Sequence, residues 1–251
     1  ALELTGEKPE FIDPFNGLQD LAAKVLRTPV RPGDSFNDDP LRMMRAARFA
    51  SQLDFQIAPE VLASMKDLAH RISIISAERV RDEFIKIIMS PNPRIGITLL
   101  VDTGLADIVL PEIPKLRLEV DEHHHHKDVY EHSITVLEQA IELEDRLGGP
   151  NLVIRIAALL HDIGKPKTRA FIEGGGVSFH HHEVVGARLV KKRLQALRFD
   201  NETIDAVELL TMLHLRFHGY GEGEWTDSAV RRYVRDAGEF ITHLHVLTRA
   251  D

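Results

Sequence analysis

Histidine and aspartate recur through the second half of the sequence where apolar, helix-like segments begin or end: His132, the adjacent pair His161-Asp162, His182, His214 and Asp251. Neutral imidazole and carboxylate bind divalent transition metals, and carboxylate also suits magnesium. An ion held by such a set lowers the pKa of a bound water and polarises a phosphoryl oxygen. Lys165, just past the pair, is placed to neutralise a phosphate, which makes Asp162 and Lys165 the candidate catalytic groups. The pair closes the apolar run "NLVIRIAALLHDI", where two ionisable groups are costly unless something satisfies them. For any single histidine a structural or surface role is a better account than a metal, and a lone His–Asp pair can be a buried hydrogen bond. The ordered set, one candidate per helix, is what favours a metal, because helical bundles build such sites in their cores.

A second constellation lies in "NDDPLRMMRAARF". Arg42, Arg45 and Arg48 recur every three residues behind Asp38 and Asp39, and steps of three and four put Asp38, Arg42 and Arg45 on about one helix face. A salt-bridged surface face accounts for that spacing. Base recognition accounts for it too: a carboxylate accepts from an exocyclic amino group and a guanidinium donates to ring nitrogens and carbonyls, enough to read the pairing edge of cytosine or adenine. Asp39, Arg42, Arg45 and Arg48 are the candidate nucleotide-binding residues.

The elements that must hold these groups read as helices. "NGLQDLAAKVLR" is a short one, "TPVRPGDSFNDD" a loop, and "DPLRMMRAARFASQL" a helix with acids and Pro40 in its first turn. "PEVLASMKDLAHRI" and "SAERVRDEFIKIIMS" follow, the latter with Ser76 as N-cap, then "RIGITLLVDTGL" and a loop through Pro111 and Pro114. After the tract His123–His126, which reads as a solvated loop, come the long helix "VYEHSITVLEQAIELEDRL", the buried "NLVIRIAALLHDI", a hairpin or loop in "TRAFIEGGGVSF", and four further helices. His180 and His181 read as bystanders to His182. "ALELTGEKPEFIDPF" alternates apolar and polar residues as a short strand pair would, too small to be a sheet alone.

Composition narrows the classes. In 251 residues there is room for one large domain or two to three small ones. A net charge of -8 gives no global sign of nucleic-acid binding, so RNA contact needs a local basic patch. "RLVKKRLQALR" offers basic residues, though a solvated helix face is the better account of that run. The absence of cysteine removes disulfides and thiolate chemistry and fits a reducing cytoplasm, and no apolar stretch reaches membrane-spanning length.

Two resemblances now bear on these residues. "VYEHS", "LLHDIGKP", "HHEVVGA" and "LTRAD" together resemble the HD phosphohydrolase superfamily, an all-helical group with the pattern H…HD…D. The resemblance implies that His132, His161, Asp162 and Asp251 hold a metal, and that His182 and His214 match histidines that some members use for a second one. "NDDPLRMMRAARF" resembles the template-like motif of class II tRNA nucleotidyltransferases and bacterial poly(A) polymerases, Asp39 and Arg42 matching its Asp and Arg, and Asp38 standing where Glu is usual. "FIDPFNGLQDLAAKVLRTP" resembles the segment that ends that family's catalytic head. The two motif sets occur in the family's order and cover essentially the whole chain.

By that resemblance the fold is expected to be all-α, a multi-helical neck and an HD bundle, with a small N-terminal β remnant. Residues 1–34 would end the head, 35–120 form the neck, and 121–251 form the HD domain. The implied function is transfer of CMP or AMP from CTP or ATP to the 3′ end of tRNA or another RNA, with metal-dependent phosphohydrolysis in the HD domain. The HD cation would be nickel, manganese, magnesium, iron or zinc, undistinguished by the sequence, and magnesium would serve nucleotidyl transfer in the head. The family's Gly-rich "GGxVRD" motif and Asp-x-Asp pair do not occur here, so the chain reads as an internal window of a longer enzyme that alone adds no nucleotides. A stand-alone HD phosphohydrolase and a catalytically silent RNA-binding module are the competing readings.

Overall fold

A computed structural model describes residues 12–117, 128–172, 176–216 and 226–251. The expected N-terminal strand pair lies largely outside these residues, and the His123–His126 tract wholly outside them. The architecture is all-α with two minimal sheets.

The first half opens with α1 (Gly17–Ala22), β1 (Val25–Leu26), α2 (Pro32–Asp38) and α3 (Leu41–Leu53). Next are β2 (Gln56–Ile57), α4 (Pro59–Leu68) with a 3-10 turn over Ala69–Ile74, α5 (Ala77–Ile88), α6 (Pro93–Asp102) and the short α7 (Ala106–Val109). β1 and β2 pair in parallel, Val25 opposite Gln56. Three helices carry Pro in their first turn, where its fixed φ suits the helix and its missing N–H is not needed. On α3, Met43, Met44, Ala47, Ala50 and Ser51 are buried, the stripe that steps of three and four produce. At Gly96 of α6 a Cβ would lie 2.3 Å from Ser51 Oγ and 2.6 Å from Ile87 Cγ2, so α3, α5 and α6 meet more closely than any larger residue permits.

The second half comprises α8 (Val129–Glu142), α9 (Leu152–Leu160), α10 (Lys165–Thr168), an antiparallel hairpin of β3 (Ala170–Phe171) and β4 (Val177–Ser178), α11 (His182–Ala196), α12 (Asn201–Leu213), α13 (Asp227–Ala237) and α14 (Ile241–Ala250). Asp128, Asn151, Asp200 and Thr226 accept backbone N–H groups as N-caps of α8, α9, α12 and α13. α9 is the hub. Its residues 154–160 are all buried, and it packs on α5, α8, α12 and α14.

Several expectations need correction. "NGLQDLAAKVLR" ends as a helix at Ala22, and Lys24 takes a left-handed φ of 55° that turns the chain into β1. Residues 28–39, read as a loop, contain α2, whose buried Phe36 anchors it. Asp38 therefore belongs to α2, and Asp39 is an extended linker before Pro40, so neither lies in the first turn of α3. Ser76 stands at the N-cap of α5, but its side chain makes no capping hydrogen bond. The Pro111–Pro114 region, read as loop, carries a 3-10 turn over Pro114–Leu116.

One continuous apolar cluster runs from Phe36 to Ala250 and joins the two halves. At their junction Arg155 of α9 is 5% exposed, forks onto the buried Glu144 carboxylate (2.7 Å to each oxygen), and donates to the carbonyls of Ile88 and Ser90 at the end of α5 (3.0 Å each). Phe84 meets Phe199 edge to face, and Arg193 pairs both carboxylate oxygens of Glu112.

Candidate metal centre and base-reading helix

Each histidine of the pocket is aimed by its own helix end. His161 follows α9, His182 opens α11 and His214 follows α12; all three are buried. In each, Nδ1 lies on the carbonyl three residues back: His161 on Ala158 (2.8 Å), His182 on Phe179 (2.8 Å), His214 on Thr211 (2.7 Å). A carbonyl only accepts, so Nδ1 carries a proton in each ring and Nε2 is the atom left facing inward, able to take a cation in place of a second proton. These three Nε2 atoms are buried and have no hydrogen-bond partner.

They converge on two carboxylates. Asp162 Oδ2 lies 3.3 Å from His161 Nε2 and 3.7 Å from His132 Nε2, while its Oδ1 lies 3.2 Å from His182 Nε2 and 3.9 Å from His214 Nε2. Asp251 Oδ1 is 2.9 Å from His132 Nε2 and 3.5 Å from His161 Nε2. Two triads result, His132–His161–Asp251 and Asp162–His182–His214, each with its donor atoms within 4.8 Å of one another. A buried polar atom without a hydrogen bond costs about 1–3 kcal/mol, and three such nitrogens around carboxylates form a donor set that suits a divalent cation. Hydrogen bonds to the far ring nitrogen also accompany metal-bound histidines as a rule.

Charge follows the same logic. Burial opposes a charge on His161, yet Asp162 and Asp251 outweigh it and raise its pKa to about 10. Burial and the neighbouring His161 push His214 down to about 3. Burial alone would raise both carboxylates; His161 and His182 hold Asp162 well below the usual range, and His132 and His161 hold Asp251 low. The pocket draws positive charge to its carboxylates, whether a proton or a cation supplies it. Lys165 Nζ sits 2.6 Å from Asp162 Oδ2 at the rim.

Two glycines bring the helices this close. A Cβ on Gly164 would lie 2.1 Å from the His182 carbonyl oxygen and 2.7 Å from Gly186 N, and a Cβ on Gly186 would press on Thr211 and the His161 carbonyl. The turn after α9 therefore lies flat on the first turns of α11. His180 and His181 are exposed and do not enter the pocket.

The acidic and basic residues near the start meet differently. Asp39, between α2 and α3, accepts from Arg79 Nη2 (3.1 Å to Oδ2) and from the Leu41 N–H (3.2 Å to Oδ1). Arg42 pairs with Asp38 (2.7 Å) and donates to Ser35; its backbone N–H donates to the Asp39 carbonyl (3.0 Å), while the two side chains take different partners. Arg48 donates to Glu83 (2.7 Å) and Gln52 and is three-quarters or more buried, which ties it into the packing of α3 on α5. Arg45 stands 3.9 Å from Glu83 and 4.0 Å from Asp39. Arg42 and Arg45 line an open cavity of about 510 Å³ walled by Thr28, Phe36 and Phe49. Sequence reading missed Arg79 and Glu83. The signal was there: on α5 the stripe Val80, Glu83, Phe84, Ile87 puts a charge in an apolar slot, and Glu83 is 3% exposed.

Comparison with known proteins bears on both regions. The family model described as "Probable RNA and SrmB- binding site of polymerase A" matches residues 54–116, and the HD domain model matches residues 129–251. An "A-adding tRNA nucleotidyltransferase" of Deinococcus radiodurans is 34% identical over 251 residues, covering 98% of this chain and 56% of that protein. A "Multifunctional CCA protein" of Neisseria meningitidis serogroup A is 36% identical over 218 residues, covering 85% of this chain and 49% of that one. The chain thus spans about half the length of the curated relatives it matches. Among solved structures, the Bacillus stearothermophilus CCA-adding enzyme in complex with CTP superposes with a TM-score of 0.65 at 23% identity, over 95% of this chain and 49% of that one. The Thermotoga maritima CCA-adding enzyme complexed with tRNA gives 0.62 at 19% identity, over 94% and 50%. These two share the fold.

Proposed function

The chain belongs to the family of CCA-adding tRNA nucleotidyltransferases and bacterial poly(A) polymerases, its RNA-binding and HD regions included, and from that premise we propose two linked roles for its residues. The first is metal-dependent phosphohydrolysis in residues 121–251, on 2′,3′-cyclic or monoester phosphates. The observation that carries it is the set of three buried, unpartnered imidazole nitrogens facing Asp162 and Asp251. His132, His161, Asp162 and Asp251 would hold one cation, and His182 and His214 a second, with the two oxygens of Asp162 turned one to each triad. A divalent cation bound there supplies Lewis acidity and lowers the pKa of a water. The chain's own groups do the rest. The backbone carbonyls fix each imidazole tautomer, and Lys165 swings from Asp162 to neutralise the substrate phosphate.

The second role is base selection by the neck, residues 35–120, in transfer of CMP or AMP from CTP or ATP to the 3′ end of tRNA or another RNA. Asp39 accepts from the base amino group, Arg42 and Arg45 donate to its ring, and Arg48 supports the helix through Glu83. Magnesium for the transfer belongs to a head domain, whose end we assign to residues 1–34. A cytoplasmic site of action follows from the RNA substrate, and no helix among the described residues is long and apolar enough to cross a membrane.

The deciding experiment measures bound metal by elemental analysis and turnover of a cyclic nucleotide after supply of nickel, manganese or magnesium. His161→Gln and Asp162→Asn should each lose metal and turnover together; retention of both by either variant refutes the first role. For the second, Asp39→Ala in an enzyme that carries the head should relax selectivity for CTP and ATP, and unchanged selectivity would count against it.

A further inference from the structure

The hairpin beside the metal pocket presents a feature that the proposed phosphohydrolysis does not use. In the register Ala170 opposite Ser178 and Phe171 opposite Val177, side chains alternate between faces. Phe171 and Val177 therefore share one face, with Arg169 and Phe179 two residues beyond them on the same side. The contacts agree. The Arg169 guanidinium stands 5.0 Å from the Phe171 ring centroid, and Lys165 Nζ stands 5.8 Å from that of Phe179. Lys165 is the residue that reaches Asp162, and the Phe179 carbonyl is the acceptor for His182 Nδ1. The register thus places two cation–ring pairs on one face, Lys165 with Phe179 next to the metal pocket and Arg169 with Phe171 farther out. The outer end of that face is bare: Phe171 is 68% exposed, although it is among the largest apolar side chains of the chain.

A lone exposed phenylalanine needs no explanation. One with a guanidinium against its ring, on the same hairpin face as the Phe179 ring that Lys165 approaches beside the pocket, matches a ligand that is anionic at one end and flat at the other. We infer that this face holds the nucleoside of the phosphate ester whose phosphate enters the metal pocket, with the base stacked on Phe171 and Arg169 and the phosphate at Lys165. The occupant is the terminal nucleotide of an RNA strand or a free nucleotide of the same chemistry. The inference rests on the phosphoester reading of the pocket and goes beyond it in assigning a specificity determinant: the site prefers esters that carry a base. Aromatic stacking is tolerant of base identity, so the preference is for a base over none and not for one base over another.

Equilibrium dialysis of the manganese-loaded chain against the non-hydrolysable phosphonate analogues of adenosine 5′-monophosphate and ribose 5-phosphate, which differ in whether C1′ carries a base, tests it. The nucleotide should bind about tenfold more tightly, within the range that base–aromatic stacking supplies. Phe171→Ala should bring the two ligands to within about twofold by weakening the nucleotide only, with metal content unchanged; Phe171→Trp should keep the preference. Equal binding of the two ligands by the unmodified chain, or a preference that survives Phe171→Ala, overturns the hairpin assignment and leaves the pocket as a phosphoester site. Binding of neither ligand overturns the phosphoester reading and this inference with it.

Discussion

The least conspicuous residue of the metal pocket is Gly164. Its φ is ordinary, so backbone freedom is not the reason for glycine there; the reason is the His182 carbonyl, 2.1 Å from where a Cβ would stand. Backbone cannot move aside as a side chain does. Gly164→Ala is expected to cost about 1–3 kcal/mol, the range of overpacking in a closed core, and to weaken metal binding by parting His161 and Asp162 from His182. Chemical denaturation and metal titration of the variant check both parts, and a stable variant with undiminished affinity would show that the turn has room. Sequence reading named the histidines and aspartates because their types declare their chemistry. It had no means of seeing that "HDIGK" and "HHEVVGA" supply the two glycines at which the helices touch, since close approach is a property of tertiary packing. Glu83 lay between these cases: its place in an apolar stripe and its neighbour Lys86, three residues on along α5, were visible, but its partner Arg48 follows only from the crossing of α3 and α5.

At the scale of elements, helix identity was legible and helix ends were not. The four side-chain caps at Asp128, Asn151, Asp200 and Thr226 are of the expected chemical types, whereas α2 hides in a Pro/Gly-rich stretch that reads as a loop and forms because Phe36 is buried beneath it. Asp200 gives a clean test of a cap. Its carboxylate accepts from the Thr203 N–H (2.8 Å) and hydroxyl (2.9 Å), and the backbone hydrogen bond first of all lowers its pKa. Removing it as Asp200→Ala should cost about 1 kcal/mol near neutral pH. A depressed carboxylate stabilises fully above its unfolded pKa and loses that contribution as pH falls through the folded value. The difference between Asp200→Ala and the parent should therefore shrink in acid, below about pH 4, and denaturation at neutral pH and pH 3 reads it directly. A difference independent of pH would assign the effect to something other than the charged cap.

For the molecule as a whole, the two halves of the chain share one apolar core among the described residues, and Arg155 fastens them. Glu144→Gln leaves a buried guanidinium without its counter-charge, which typically costs about 3–5 kcal/mol; replacing Arg155 and Glu144 together with apolar residues should recover much of that loss. Fluorescence and circular dichroism should report one common transition for both regions, since no apolar boundary separates them, and two resolved transitions would contradict the shared core. A cation at the pocket stabilises only the folded chain, so chelation should lower the melting temperature; at a hundredfold excess over Kd the loss is about 2.7 kcal/mol.

The fastening at Arg155 also bears on how an RNA end would use the two proposed sites. Helices clamped through a common interior keep a constant spacing, so on these proposals the metal pocket would keep its distance from a strand seated on residues 35–120. Travel must come from the RNA. On the same proposals, addition and hydrolysis at one 3′ end would be rival fates decided by dissociation and recapture, and a longer unpaired tail, able to reach farther, would shift the balance between them.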